Sequence, residues 1–137
     1  MSLAPPPRRR ILLADDNVSI QKVVKRVAEK YGHELIEVTE GRAVLALAAS
    51  IQPDVIVLDI EFPDADGRDL LANLKADPRT SNIPVIVWSG REGNKSDSRI
   101  SLELGAEDYV EKGDAQLLVR KLERVLLRVA GEPKMTP

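Results

Sequence analysis

Two periods of hydrophobic and polar residues alternate along this chain, and each change of period marks the boundary of an element. Strand-like runs read Arg10–Ala14 (RILLA), Glu34–Val38 (ELIEV), Asp54–Leu58 (DVIVL), Pro84–Ser89 (PVIVWS) and Glu107–Glu111 (EDYVE). The first, third and fourth are nearly continuous apolar runs, the pattern of strands covered on both faces. The second and fifth are more polar, which suits the edges of a sheet. Stripes at helical spacing lie between them: Ile20, Val23, Val24, Val27, Ala28 and Tyr31; then Val44, Leu47, Ala48 and Ile51; then Leu70, Leu71 and Leu74. A weaker helical segment covers 94–104, and a last helix from Ala115 to about Val129 carries Leu118, Leu122, Val125 and Val129. Gly32, Pro53, Asp77-Pro78, Gly105 and Gly131 close elements. Five strands and five helices in strict alternation predict parallel βαβ units, hence an α/β fold with a doubly wound five-stranded parallel sheet.

Composition narrows the class. A chain of 137 residues fits one domain and buries roughly two-thirds of its unfolded surface. Neither an internal repeat nor a linker divides it. The domain is expected over 10–130, after a disordered proline-rich basic leader at 1–9 and before a tail at 131–137. An apolar fraction of 43% and a charged fraction of 31% describe a soluble globule. The net charge of -2 gives no bulk electrostatic reason for direct nucleic-acid binding. With zero cysteines there is no disulfide framework, thiolate metal site or cysteine nucleophile. No apolar run approaches the ~20 residues of a membrane span, and nothing resembles a signal peptide, so a cytoplasmic protein without membrane insertion is expected.

A sheet of this kind binds ligands beyond the carboxyl ends of its strands, where the strand order switches. The first strand ends in Ala14-Asp15-Asp16-Asn17, the third in Asp59-Ile60-Glu61, the fourth in Ser89-Gly90, and Lys112 follows the fifth. Three carboxylates, a hydroxyl and an ammonium therefore converge on one edge from four strands. Asp16 or Asn17 alone reads equally well as an N-cap, but capping does not explain the whole set. Clustered carboxylates repel one another unless a cation sits among them. Oxygen ligands suit a hard ion such as Mg²⁺, which takes one or two carboxylates plus water and phosphate oxygens. The set fits a phosphoryl group landing on a carboxylate, with metal and lysine spreading its charge. It does not fit nucleotide binding, since LLADDNVSIQK contains no glycine.

These stretches resemble the receiver domain of bacterial two-component response regulators, from Arg10 to about Val129. LLADDN looks like that family's acidic pair, VLDIEFPDADG like its phosphoacceptor strand and loop, PVIVWSG like its hydroxyl-bearing strand, and ELGAEDYVEK like the run ending in its lysine. The resemblance implies the flavodoxin-like strand order 2-1-3-4-5. It also implies Asp59 as phosphoacceptor, Asp15, Asp16 and Asp59 as Mg²⁺ ligands with the Glu61 backbone carbonyl, Ser89 and Lys112 as phosphoryl-binding groups, and Tyr109 as a switch aromatic. Glu61 and Arg91 match positions that modulate phosphoryl lifetime. The implied partners are a sensor histidine kinase or phosphotransfer protein, docked on the first helix near Ile20 and Val23, and a downstream protein target. The domain would not be an enzyme beyond its own phosphorylation and dephosphorylation. Burial in the core is the reading favoured for Val23 itself.

The alternatives belong to other classes. One is a degenerate receiver acting as a phosphorylation-independent interaction module, which the intact acids, Ser89 and Lys112 oppose. Another is a haloacid-dehalogenase-type phosphatase, which usually needs a second aspartate where Glu61 stands. Two departures from the family stand out: Gly113 follows Lys112 where proline is usual, and Gly90 follows Ser89 where alanine is commoner. The sole histidine, His33, reads as a surface residue and Trp88 as core beside the site. Arg120, Lys121, Arg124 and Arg128 read as a solvated helix face, and AGEPKMTP after Val129 reads as a tail.

Overall fold

A computed structural model describes residues 9–90, 95–113 and 115–131. In chain order its elements are β1 (Arg10–Ala14), α1 (Val18–Lys30), β2 (Glu34–Val38), a 3₁₀ turn (Gly41–Ala43) running into α2 (Val44–Ile51), β3 (Val55–Leu58), α3 (Gly67–Ala76), β4 (Val85–Ser89), α4 (Lys95–Glu103), β5 (Asp108–Glu111) and α5 (Ala115–Gly131). The strands form one sheet in the order β2-β1-β3-β4-β5, with every pairing parallel. The two polar runs are the edge strands and the apolar runs fill the centre, as their composition predicts. β3, β4 and β5 each begin one residue later than the sequence pattern suggests. At the start of β3, the Asp54 carboxylate instead accepts a hydrogen bond from the Arg10 N–H at 2.8 Å.

Alternate side chains of the central strands feed two apolar layers. Leu12, Ala14, Ile56, Leu58, Val85 and Val87 pack toward α2 and α3. Ile11, Leu13, Val55, Val57, Ile86 and Trp88 pack toward α1 and α5. Each fully buried Ile or Leu contributes about 1.5–3 kcal/mol relative to exposure, so the sheet centre is the rigid platform of the molecule. β1 has neighbours on both sides, β2 and β3. The winding reverses there, and the carboxyl ends of β1 and β3 open the crevice that holds the site.

Several sequence expectations need correction. In α1 the buried positions are Gln21, Val24 and Ala28, whereas Val23 is 53% and Tyr31 49% exposed. The helix turns a narrower stripe inward than its apolar residues suggest, and Val23, expected in the core, faces outward. His33 is not a surface residue: its side chain is 12% exposed and its Nε2 lies 3.3 Å from Glu123 Oε1 on α5. Two of the four basic residues on α5 are engaged by acids at the β5 edge, Lys121 with Asp108 at 3.1 Å and Arg128 with Glu107. Arg120 and Arg124 are exposed, as expected. Arg9, assigned to the leader, already accepts the Glu34 N–H at its carbonyl at 2.8 Å. Arg91, residues 1–8 and residues 132–137 lie outside the described residues.

Candidate functional site

Backbone bonds fix the first two acids. The Asp59 N–H donates to the Ala14 carbonyl at 2.9 Å, and the Asp15 N–H donates to the Val38 carbonyl at 3.1 Å. The ends of β2, β1 and β3 are thereby locked in register. Asn17 caps α1, its side-chain oxygen accepting from the Ile20 N–H at 3.1 Å. Asn17, and not Asp16, is therefore the cap, and Asp16 is left exposed beside the crevice.

Asp15, Asp16 and Asp59 each present a carboxylate oxygen within 4.8 Å of the others. Asp15 is 0% and Asp59 1% exposed. Lys112 Nζ lies 2.8 Å from Asp15 Oδ2 and 2.8 Å from Asp59 Oδ2. The other oxygens of these two acids accept backbone N–H groups: Asp15 Oδ1 from Asn17 at 2.8 Å and Asp59 Oδ1 from Glu61 at 2.9 Å. Burial pushes the Asp59 carboxyl above its usual range, against the lowering effect of the Lys112 hydrogen bond, the Glu61 N–H and the Lys112 charge. Burial also pulls on Lys112, but its bonds to Asp15 and Asp59 outweigh that and raise it above the ordinary lysine value. Among the described residues, three carboxylates gather around one ammonium.

Ser89 ends β4 at 0% exposure, and its Oγ is buried without a hydrogen-bond partner among the described residues. A buried hydroxyl in that state costs about 1–3 kcal/mol. Its backbone carbonyl accepts the Lys112 N–H, which joins the ends of β4 and β5. The Tyr109 hydroxyl, on the β5 edge, is likewise buried without a partner. Glu61 is exposed; a Cβ built on Gly90 would sit 3.8 Å from its Oε2, so its carboxylate lies at the rim above the end of β4.

Gly113 takes φ +136°, which proline cannot adopt and other L residues rarely do, so this turn is built around glycine. Lys112 nevertheless reaches both acids. The donor set fits magnesium: clustered carboxylates offering oxygen ligands only, with an unpartnered buried hydroxyl at the end of the neighbouring strand β4.

Sequence reasoning missed Gln21, which is 1% exposed. Its Nε2 donates to the Asp15 carbonyl at 2.5 Å and reaches the Val38 carbonyl at 3.4 Å, pinning the strand ends behind the acids. A glutamine at a stripe position, three residues before Val24, is the signal that could have found it. Sequence reasoning also missed an apolar groove of about 400 Å³ between α1 and the start of α5, lined by Ile20, Val23, Trp88, Lys112, Gly113 and Ala115.

Residues 11–123 match the family model of the response regulator receiver domain. Protein PilH of Pseudomonas aeruginosa is 32% identical over 118 residues, covering 85% of this chain and 97% of that protein. The DNA-binding dual master transcriptional regulator RpaA of Synechocystis is 32% identical over 126 residues, covering 91% of this chain but 52% of the regulator. The chain spans about half the length of such regulators. Among solved structures, a CheY-like response regulator receiver domain protein from Methanospirillum hungatei superposes with a TM-score of 0.83 at 25% identity, covering 93% of this chain and 100% of that one. The signal receiver domain of a signal transduction histidine kinase from Syntrophus aciditrophicus gives 0.80 at 28% identity, covering 94% and 98%.

Proposed function

The chain belongs to the response regulator receiver domain family, and from that premise we propose that Asp59 accepts a phosphoryl group from a phosphohistidine in a Mg²⁺-dependent reaction. The observation that carries this reading is Asp59 itself, 1% exposed, 2.8 Å from Lys112 and grouped with two further carboxylates at the switch point of the sheet. A carboxylate oxygen of Asp59 attacks phosphorus, and an acyl phosphate P–O bond forms. The donor's P–N bond breaks, and the leaving imidazole takes up a proton from solvent. Lys112 and the Glu61 N–H favour the ionised Asp59 against the opposing effect of its burial, and Lys112 remains paired with Asp15 as charge moves outward. The Ser89 hydroxyl donates to a phosphoryl oxygen and so gains the partner it lacks. Asp15, Asp16, Asp59 and the Glu61 carbonyl would hold magnesium, which when bound would supply positive charge beside the transferring group.

Downstream, Tyr109 is assigned the switch role, its covered hydroxyl lying on the edge strand β5 that leads to Lys112, with β4 between it and the strand that ends at Asp59. Glu61 at the rim, with Arg91, tunes phosphoryl lifetime. The donor is a sensor histidine kinase or phosphotransfer protein, and the groove containing Ile20 and the exposed Val23 offers it an apolar seat beside Lys112. Output passes through a protein target rather than direct nucleic-acid contact. Catalysis is confined to the domain's own phosphorylation and dephosphorylation. No described helix is long and apolar enough to cross a membrane, which is compatible with the cytoplasmic location assigned here.

Magnesium titration tests the site. Saturating metal, at a hundredfold excess over its dissociation constant, stabilises the fold by about 2.7 kcal/mol. At this chain length that is a rise in melting temperature of roughly 10 °C. Trp88, buried beside Ser89, should change its fluorescence over the same concentration range. Asp16→Ala should abolish both responses, and a variant that still responds would move the metal elsewhere.

A further inference from the structure

The loop between β3 and α3 carries the Glu61 carbonyl, and an acid from within that loop ties it to a different part of the fold. Asp64 Oδ1 accepts the Gly41 N–H at 3.0 Å, and its Oδ2 accepts the Arg42 N–H at 3.2 Å. These are the leading N–H groups of the 3₁₀ turn that runs into α2, and Glu40, at the cap position, does not cap them: its carboxylate instead accepts from Arg42 Nε at 3.4 Å. The two N–H groups, Arg42 first, hold the Asp64 carboxyl below the usual carboxylate range. The contact is close along its whole length. A Cβ built on Gly41 would lie 3.0 Å from Ala65 Cβ and 3.1 Å from Phe62 Cγ, and Phe62 is 9% exposed against the α2–α3 layer.

We propose that Asp64 is a positioning residue for the metal site: through Gly41 and Arg42 it clamps the loop so that the Glu61 carbonyl stays in place beside Asp59. This rests on the magnesium reading above and extends it to a residue that touches neither metal nor phosphoryl group. The physical reason is the lack of regular structure between Asp59 and Gly67. Only an isolated bridge between Glu61 and Asp66 spans that stretch. Between its ends the loop is held by the packed Ile60 and Phe62 side chains, by the Glu61 N–H on Asp59 Oδ1 and by the Asp64 carboxylate, the polar tie from this loop to the turn before α2. Removing that tie leaves the acids intact but lets the fourth ligand wander.

Magnesium titration of the full chain, read by Trp88 fluorescence, tests this with three variants. Asp64→Ala should weaken magnesium binding by about tenfold, the low end of the effect of removing outer-shell support. Asp64→Asn keeps one acceptor oxygen but loses the charge, and should restore most of the affinity. Gly41→Ala changes no charge, yet its Cβ crowds the Ala65 and Phe62 side chains at 3.0 and 3.1 Å and should reproduce part of the Asp64→Ala loss. Equal losses in Asp64→Ala and Asp64→Asn with wild-type binding in Gly41→Ala would assign the effect to charge and overturn the clamp. Unchanged binding in all three also overturns it. A wild type that does not respond to magnesium overturns the metal reading and this inference together, whereas a responsive wild type with an Asp64→Ala variant that binds magnesium as tightly overturns this inference alone.

Discussion

Lys112→Met is expected to destabilise the metal-free protein by about 3 kcal/mol at neutral pH, the low end of the cost of breaking a buried ion pair. At this chain length that lowers the melting temperature by roughly 10 °C. The lysine is the cation shared by Asp15 and Asp59, at 0% and 1% exposure, and the methionine keeps its bulk while removing the charge. The pH dependence has a definite sign. Asp59 already titrates above its usual value because of burial, and the lowering influence of Lys112 disappears in the variant. A carboxyl whose folded pKa is raised costs nothing below the unfolded value, near 4, and its full cost appears above the folded value. The gap between variant and wild type should thus be small in acid and widen as pH rises through the elevated Asp59 range. Excess magnesium should narrow it by placing positive charge among the acids. Asp59→Asn should have the opposite sign, raising metal-free stability at neutral pH, because it removes a buried charge and leaves Lys112 its Asp15 partner. Chemical denaturation across pH, with and without magnesium, checks both signs.

The second large effect is expected from Gly67→Ala. A Cβ at this position would fall 2.1 Å from the Ile60 Cα and 2.6 Å from both its carbonyl carbon and oxygen. Backbone atoms cannot rotate away as a side chain can, so either the first turn of α3 or the strand end after Asp59 must shift. Overpacking of this kind costs about 3 kcal/mol, the upper end of its common range. The Gly67 N–H also donates to the Ile60 carbonyl at 3.1 Å, a bond the shift would stretch. Magnesium binding should fall along with stability, because Ile60 lies between the acid and the carbonyl assigned to the metal. A variant as stable and as metal-responsive as wild type would show that the loop has slack the close contact denies.

Why the sequence conveyed the sheet so well, and the loops so poorly, follows from the kind of information each carries. RILLA, VIVL and VIVWS are apolar throughout because both faces of a central parallel strand are covered, so the run itself encodes the position. ELIEV and DYVE betray their edges by their charges. The acids, Ser89 and Lys112 were legible because parallel winding sends every strand's carboxyl end to one side, whatever the details of the loops. Apolarity at helical spacing was a weaker guide: Val23 and Tyr31 share the stripe of α1, yet face outward, while the polar Gln21 is buried because two strand-end carbonyls satisfy its amide. Nothing local predicts that His33 meets Glu123, ninety positions away in the chain, or that Asp64 caps a turn more than twenty residues before it. Such contacts depend on how two loops meet in space, which neither periodicity nor composition records. The requirement for Gly67 belongs to the same class, since the atoms that exclude a side chain there belong to Ile60.

Whether Asp59 takes up a phosphoryl group is settled most directly by intact mass. Wild type and Asp59→Asn would each be incubated with acetyl phosphate and magnesium, with parallel samples lacking the metal. The site described here predicts a gain of one phosphoryl group in wild type with magnesium, and no gain in Asp59→Asn or when magnesium is withheld. A wild type that stays unmodified, or an Asp59→Asn variant that gains the same mass, would contradict it.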